Sequence, residues 1–160
     1  RRCLAGLLED RNLFRSSISF SFYLFEVLAK YGHHALLYEK LDLWRVLLDR
    51  HFYTPMEAPE PSRSDCHGWG SHPLFHYQAT FAGVRPLSPG FETVMIKPQP
   101  VHLSEIDSRL PHPKGFVVTR LRFRGKRVQG RIILPKGITG GFVWRGKSIQ
   151  LGDGETTIDV

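Results

Sequence analysis

RPLSPGFETVMIKPQP, residues 85–100, divides the chain into two parts of different periodicity. Within it, Phe91 to Lys97 alternates in the manner of a half-buried strand. Pro98 and Pro100 close that run, because proline cannot donate to a sheet ladder. Upstream of it, apolar residues recur at helical spacing. Downstream, they come in short alternating runs separated by Gly and Pro. The character of the chain therefore changes near residue 86.

Upstream, SISFSFYLFEVLAKYG (residues 17–32) predicts a helix with Ser16 or Ser17 as N-cap and Gly32 as its stop. Phe20, Leu24, Val27, Leu28 and Tyr31 are expected on its apolar face. HALLYEKLDLWRVLLDRHF (residues 34–52) predicts a second helix, with Leu37, Leu41, Trp44, Leu47 and Leu48 facing inward. His33 and His34 fall at the turn between them, where an imidazole can cap the last carbonyls. Pro55, Pro59 and Pro61 forbid further helix. A third helix is expected from near Ser71, with Pro73 in its first turn and Gly83 at its end. His72 and His76 are four apart and could share a helix face as metal ligands, but no third ligand accompanies them. Surface or core histidines are the preferred reading. Three helices alone do not enclose a full core, so they look like the tail of a larger helical domain.

Downstream, GFVVTRLRFRG (115–125), KRVQGRIILP (126–135), GFVWRGKSIQLG (141–152) and ETTIDV (155–160) follow the Phe91–Lys97 run. Five short strands with Gly/Pro turns predict a β-sandwich. In the first of these four runs, Arg120, Arg122 and Arg124 share one face, and Leu121 and Phe123 share the other.

The totals agree with a folded protein. The chain has 160 residues, of which 41% are hydrophobic and 23% charged, enough for one large domain or two small ones. No apolar run reaches the ~18 residues of a membrane span. The net charge of +7 raises the question of an anionic partner. Much of it sits in RLRFRGKR (120–127), for which a solvated strand face is preferred over phosphate or nucleic-acid binding. Cys3 and Cys66 are too few for a disulfide framework and leave the compartment open. RRCLAGLLEDRNLF at the start has too short an apolar run for a secretory leader, and Glu9, Asp10 and Arg11 interrupt it. The chain reads as beginning inside something larger.

Chemistry is most concentrated in YTPMEAPEPSRSDCHGWGSHPLFHY, residues 53–77. A glutamate held between prolines loses freedom and gains direction, which suits acid/base work. Glu57 and Glu60 are the candidates. Arg63 and Asp65 can fix hydroxyl groups through charged hydrogen bonds. His67 can donate or accept. The Trp69 indole offers a face to a pyranose. Against this stands a structural reading, in which Arg63 pairs with Asp65 and Trp69 joins a core. Cys66 beside His67 is read as a buried small side chain, not as a nucleophile pair.

The order of YTPMEAPEPSRSDCHGWGSHPLF, GVRPLSPGFETVMIKPQP and LPHPKGFVVTRLRF closely resembles the C-terminal third of bacterial α-L-rhamnosidases of glycoside hydrolase family 78. FSFYLFEVLAKYG and DLWRVLL are similar to the helices before that loop. The resemblance implies an α+β chain: the last helices of an (α/α)6 barrel over residues 1–86, then a C-terminal antiparallel β-sandwich over residues 87–160. It implies hydrolysis of terminal α-L-rhamnosides with inversion. Glu57 falls at the position of the general base, and His67 at that of a substrate ligand. Trp69 and Arg63 would line the same pocket, and Asp65 would brace the loop. Glu60 fits the family's spacing less well. Two departures stand out. Tyr53 occupies a position that is often Thr or small in the family, and the family's general acid lies on upstream segments this chain does not contain. The fragment alone is therefore expected to be inactive. The partner is expected to be a rhamnose-containing glycoside, with no cofactor, metal, nucleic acid or membrane. Uncovered helix faces would favour self-association. The alternative is a non-catalytic carbohydrate-binding or structural module.

Overall fold

The computed structural model describes residues 5–6, 12–13, 16–58 and 61–160. The reading of the first residues as an interior start, Cys3, and the rival base Glu60 lie outside the described residues. The helical part contains α1 (Ser21–Lys30), α2 (His34–Lys40), α3 (Asp42–Asp49) and the single turn α4 (Pro73–His76). A 3-10 turn at Gly68–Ser71 precedes α4 and a π turn at Tyr77–Phe81 follows it. The Ser17 hydroxyl accepts the Phe20 N–H at 3.3 Å, one turn ahead of α1. Gly32 ends α1 with φ of +79°, and the His33 N–H closes back on the Leu28 carbonyl at 2.8 Å. Burial lowers the His34 pKa, and the nearby Ala29 carbonyl works in the opposite direction.

The expected second helix divides at Leu41 into α2 and α3. Leu37, Leu41 and Leu47 are buried as anticipated, but Leu48 is exposed. On α1 the inward face differs from the expected one. Phe25 and Leu28 are buried against Leu37, Leu41 and Phe81, while Phe20, Val27 and Tyr31 are exposed. The helix is apolar on most of its circumference, so periodicity could not select the side that meets this core.

The strands are β1 (Val84–Pro86), β2 (Thr93–Ile96), β3 (Glu105–His112), β4 (Gly115–Arg124), β5 (Arg127–Leu134), β6 (Thr139–Trp144), β7 (Lys147–Leu151) and β8 (Gly154–Asp159). They form two four-stranded sheets, ordered β1-β2-β6-β7 and β3-β4-β5-β8. One core, including Val94, Ile96, Leu121, Ile132, Phe142 and Ile158, is shared by both. GFVWRGKSIQL is a hairpin of two strands, not one run, and the sequence reading missed β1 and β3. The sheets are not wholly antiparallel: β2 and β6 run parallel, with Thr93 opposite Thr139. A parallel pair needs a long crossover, and here the crossover is β3, β4 and β5 of the other sheet. Arg120 and Arg122 point outward as expected and meet Asp107 at 3.3 Å and Glu105 at 3.8 Å. Arg127 and Arg131 pair likewise with Asp159 and Glu155. Much of the basic face is thus balanced by acids on the neighbouring strands.

The two parts are joined closely. The Gln99 N–H donates to the Phe81 carbonyl at 2.9 Å, and the Ser108 hydroxyl donates to Gln78. Arg85 reaches back from β1 to the Ala79 carbonyl at 2.9 Å and to Glu26 on α1 at 3.3 Å.

Candidate functional site

The residues between α3 and the 3-10 turn fold back on themselves. The Glu57 N–H donates to the Ser64 carbonyl and the His67 N–H to the Pro55 carbonyl, both at 2.8 Å. The Thr54 hydroxyl donates to the Asp65 carbonyl at 2.5 Å. Residues 54–57 and 64–67 thus run side by side. Extended backbone sends neighbouring side chains to opposite sides. Met56 is accordingly buried with Ile18 and Leu47, and Glu57 faces the other way. The Ile18 N–H donates to the Glu57 carbonyl at 3.1 Å, which anchors the ribbon to the approach to α1. At the far end, the Trp44 indole donates to the Gly70 carbonyl at 2.7 Å. Gly70 lies so near Pro55 that an added Cβ would stand 2.7 Å from the proline Cβ.

The four candidate side chains gather along this ribbon. Arg63 grips both oxygens of Glu57: Nε donates to Oε2 at 3.1 Å, and Nη2 donates to Oε1. Arg63 therefore meets Glu57, six residues away, and not Asp65 as the structural reading had it. The Glu57 carboxyl is held below the usual glutamate range, chiefly by the hydrogen bond from Arg63 and also by the charges of Arg63 and His67. The His67 and Trp69 rings are 6.0 Å apart, edge to face. The indole is 78% exposed, so it is not a core residue. His67 is half-buried, and among the described residues its buried Nε2 has no hydrogen-bond partner. Cys66 is exposed, contrary to expectation. Its neighbours on the ribbon alternate sides, and its side falls toward solvent. Braces within the loop come from the Ser62 and Ser64 hydroxyls, while Asp65 braces it through its carbonyl.

His72 and His76 belong to the helical core. His72 Nε2 lies 2.9 Å from the Ser21 hydroxyl and 3.1 Å from the Ile18 carbonyl. His76 is fully buried among Phe22, Phe25 and Phe75, and its Nδ1 lies 3.2 Å from the Thr80 hydroxyl. A cavity of about 620 Å³ opens elsewhere, where α1 meets β1 and β2, lined by residues such as Glu26, Lys30, Arg85 and Lys97. None of the four candidates lines it. The sequence analysis missed the Arg63–Glu57 pairing, since only the fold-back of the loop determines which carboxylate Arg63 meets.

The arrangement supplies an ionised carboxylate of fixed direction, an imidazole with a free nitrogen and an open indole face. Such a set can accept a proton from water and bind a sugar ring.

In a comparison with known families, residues 83–154 match the model described as the bacterial alpha-L-rhamnosidase C-terminal domain. Over 99% of its length the chain superposes on the alpha-L-rhamnosidase of Dictyoglomus thermophilum, with a TM-score of 0.81 and 19% identity. It also superposes on the GH78 family rhamnosidase of Bacillus sp. GL1, with a TM-score of 0.76 and 24% identity over 88% of the chain. The alpha-L-rhamnosidase of Streptomyces avermitilis, solved with L-rhamnose, matches over 86% of the chain with a TM-score of 0.71 and 20% identity. The chain spans only 22%, 16% and 17% of these three proteins, respectively. No curated protein matches it.

Proposed function

We propose that this chain, whose residues 83–154 match the bacterial alpha-L-rhamnosidase C-terminal domain, is a portion of an inverting glycosidase acting on terminal α-L-rhamnosides. In this reading residues 1–86 are the last helices of an (α/α)6 barrel, and residues 87–160 are the sandwich behind it. The exposed apolar side chains of α1, Phe20, Tyr23, Val27 and Tyr31, support the barrel: a helix apolar on both sides suits packing on both sides.

The observation that carries the function is the Glu57 carboxylate, gripped by Arg63 and within electrostatic reach of His67, whose ring meets Trp69 edge to face. Glu57 is the general base. It takes a proton from water as the water oxygen bonds to the anomeric carbon and the bond to the leaving oxygen breaks on the opposite face. The leaving oxygen takes its proton from a carboxylic acid that a further part of the barrel contributes. His67 bonds a sugar hydroxyl and Trp69 stacks on the ring. A carboxylate held ionised has the protonation state a base requires. The exposed indole equally suits a non-catalytic sugar-binding module, and one experiment separates the two. In a longer protein that includes the rest of the barrel, Glu57→Gln should lower turnover of an aryl α-L-rhamnoside by roughly 10²- to 10⁴-fold while L-rhamnose binding persists. Turnover that survives the substitution would leave Glu60 or the non-catalytic module.

A further inference from the structure

Arg63 and Glu57 differ sharply in exposure. The arginine side chain is 85% exposed and the glutamate side chain 19%. The acid is sunk against the ribbon, and the guanidinium reaches over it from the water side. Both carboxylate oxygens are bonded by this one side chain, in the paired geometry a planar guanidinium favours. Each carboxylate oxygen has two lone pairs, so the fork leaves one free on each oxygen for water. Among the described residues, the titratable groups that act on the Glu57 carboxyl are Arg63 and His67. The other bonds to this residue are to its backbone, from Ile18 and to Ser64. Arg63 passes over Asp65, two residues on, to reach Glu57.

We propose that Arg63 is a positioning residue for Glu57, a guanidinium fork that aims the carboxylate, not a contact to the sugar. The inference rests on Glu57 acting as the base. A lone glutamate on a loop turns about three side-chain bonds, and the fork fixes the plane of its carboxylate. It also keeps the acid charged at lower pH, which extends activity to more acidic solution. Lysine preserves the charge but not the fork.

The test begins with the 160-residue chain itself. Carbon-detected NMR follows the titration of the Glu57 carboxyl in the native chain, Arg63→Gln and Arg63→Lys, with circular dichroism to verify folding. Arg63→Gln should raise the midpoint toward the ordinary glutamate value, and Arg63→Lys should fall between. In the longer barrel-bearing protein, Arg63→Gln should move the acid limb of the kcat/KM profile to higher pH, with KM changed by no more than about twofold. An unchanged Glu57 midpoint in Arg63→Gln overturns the proposal. So does a raised KM with an unmoved acid limb, the signature of a sugar contact. The base assignment falls separately: full turnover in Glu57→Gln removes it whatever the titration of Arg63→Gln gives.

Discussion

His76 is the side chain whose chemistry conflicts most with its surroundings. Burial, with the nearby His72 and Arg85, lowers its pKa from the usual 6.5 to about 4. The folded value lies below the unfolded one, so the contribution to stability is complete above about pH 6.5 and is lost as pH falls toward 4. From the two values the loss is on the order of 3 kcal/mol. His72 and His34, both lowered by burial, add to the loss in the same direction. Urea unfolding at about pH 7.5 and about pH 4 should therefore give a markedly smaller difference for His76→Gln than for the native chain. Equal differences would mean that His76 stays neutral without cost. At this scale the sequence was informative about residue type and uninformative about partners. Glu57, His67 and Trp69 stood out because few loops hold such groups. The partner of Arg63 was hidden, because three acids lay within reach along the chain and only the fold-back chooses among them.

The elements were legible wherever polar and apolar residues sort cleanly. The strand β4 was, since Val117, Leu121 and Phe123 point inward between outward arginines. The strand β3 was not, because it turns Ser108 and His112 inward and carries Pro111. Those inward polar groups have partners: Ser108 meets Gln78, and His112 meets the Phe91 carbonyl at 2.9 Å. The joint between the helical part and the sheets turns on Gly83. Its φ is +72°, and an added Cβ would lie 2.1 Å from the Lys97 carbonyl oxygen. Neither the backbone angle nor the space admits a side chain. Gly83→Ala should destabilise the chain by about 2 kcal/mol or more. Thermal unfolding would measure this, and a loss below about 0.5 kcal/mol would mean that the joint relaxes freely.

Taken whole, the molecule keeps a well-filled sandwich core and leaves its helical side open. Phe20, Tyr23, Val27 and Tyr31 on α1 and Leu48 on α3 are exposed together with Tyr53, Trp69 and Leu74. Exposed apolar area on this scale marks a surface that associates. The isolated chain should sediment faster as its concentration rises, and Tyr23→Lys combined with Val27→Lys should suppress that rise. A sedimentation coefficient independent of concentration would count against it. The open face also accounts for the partly misassigned side of α1, since that helix is apolar on most of its circumference and periodicity alone does not choose between its sides. The parallel pairing of β2 with β6 carries a consequence for the order of assembly. The strand β2 leaves the ribosome early, yet its permanent neighbour is synthesised only after β3, β4 and β5. Until then one backbone edge of β2 has no ladder, while β3, β4 and β5 can already pair with one another. A nascent chain stalled at that stage is where a chaperone would find the most to protect.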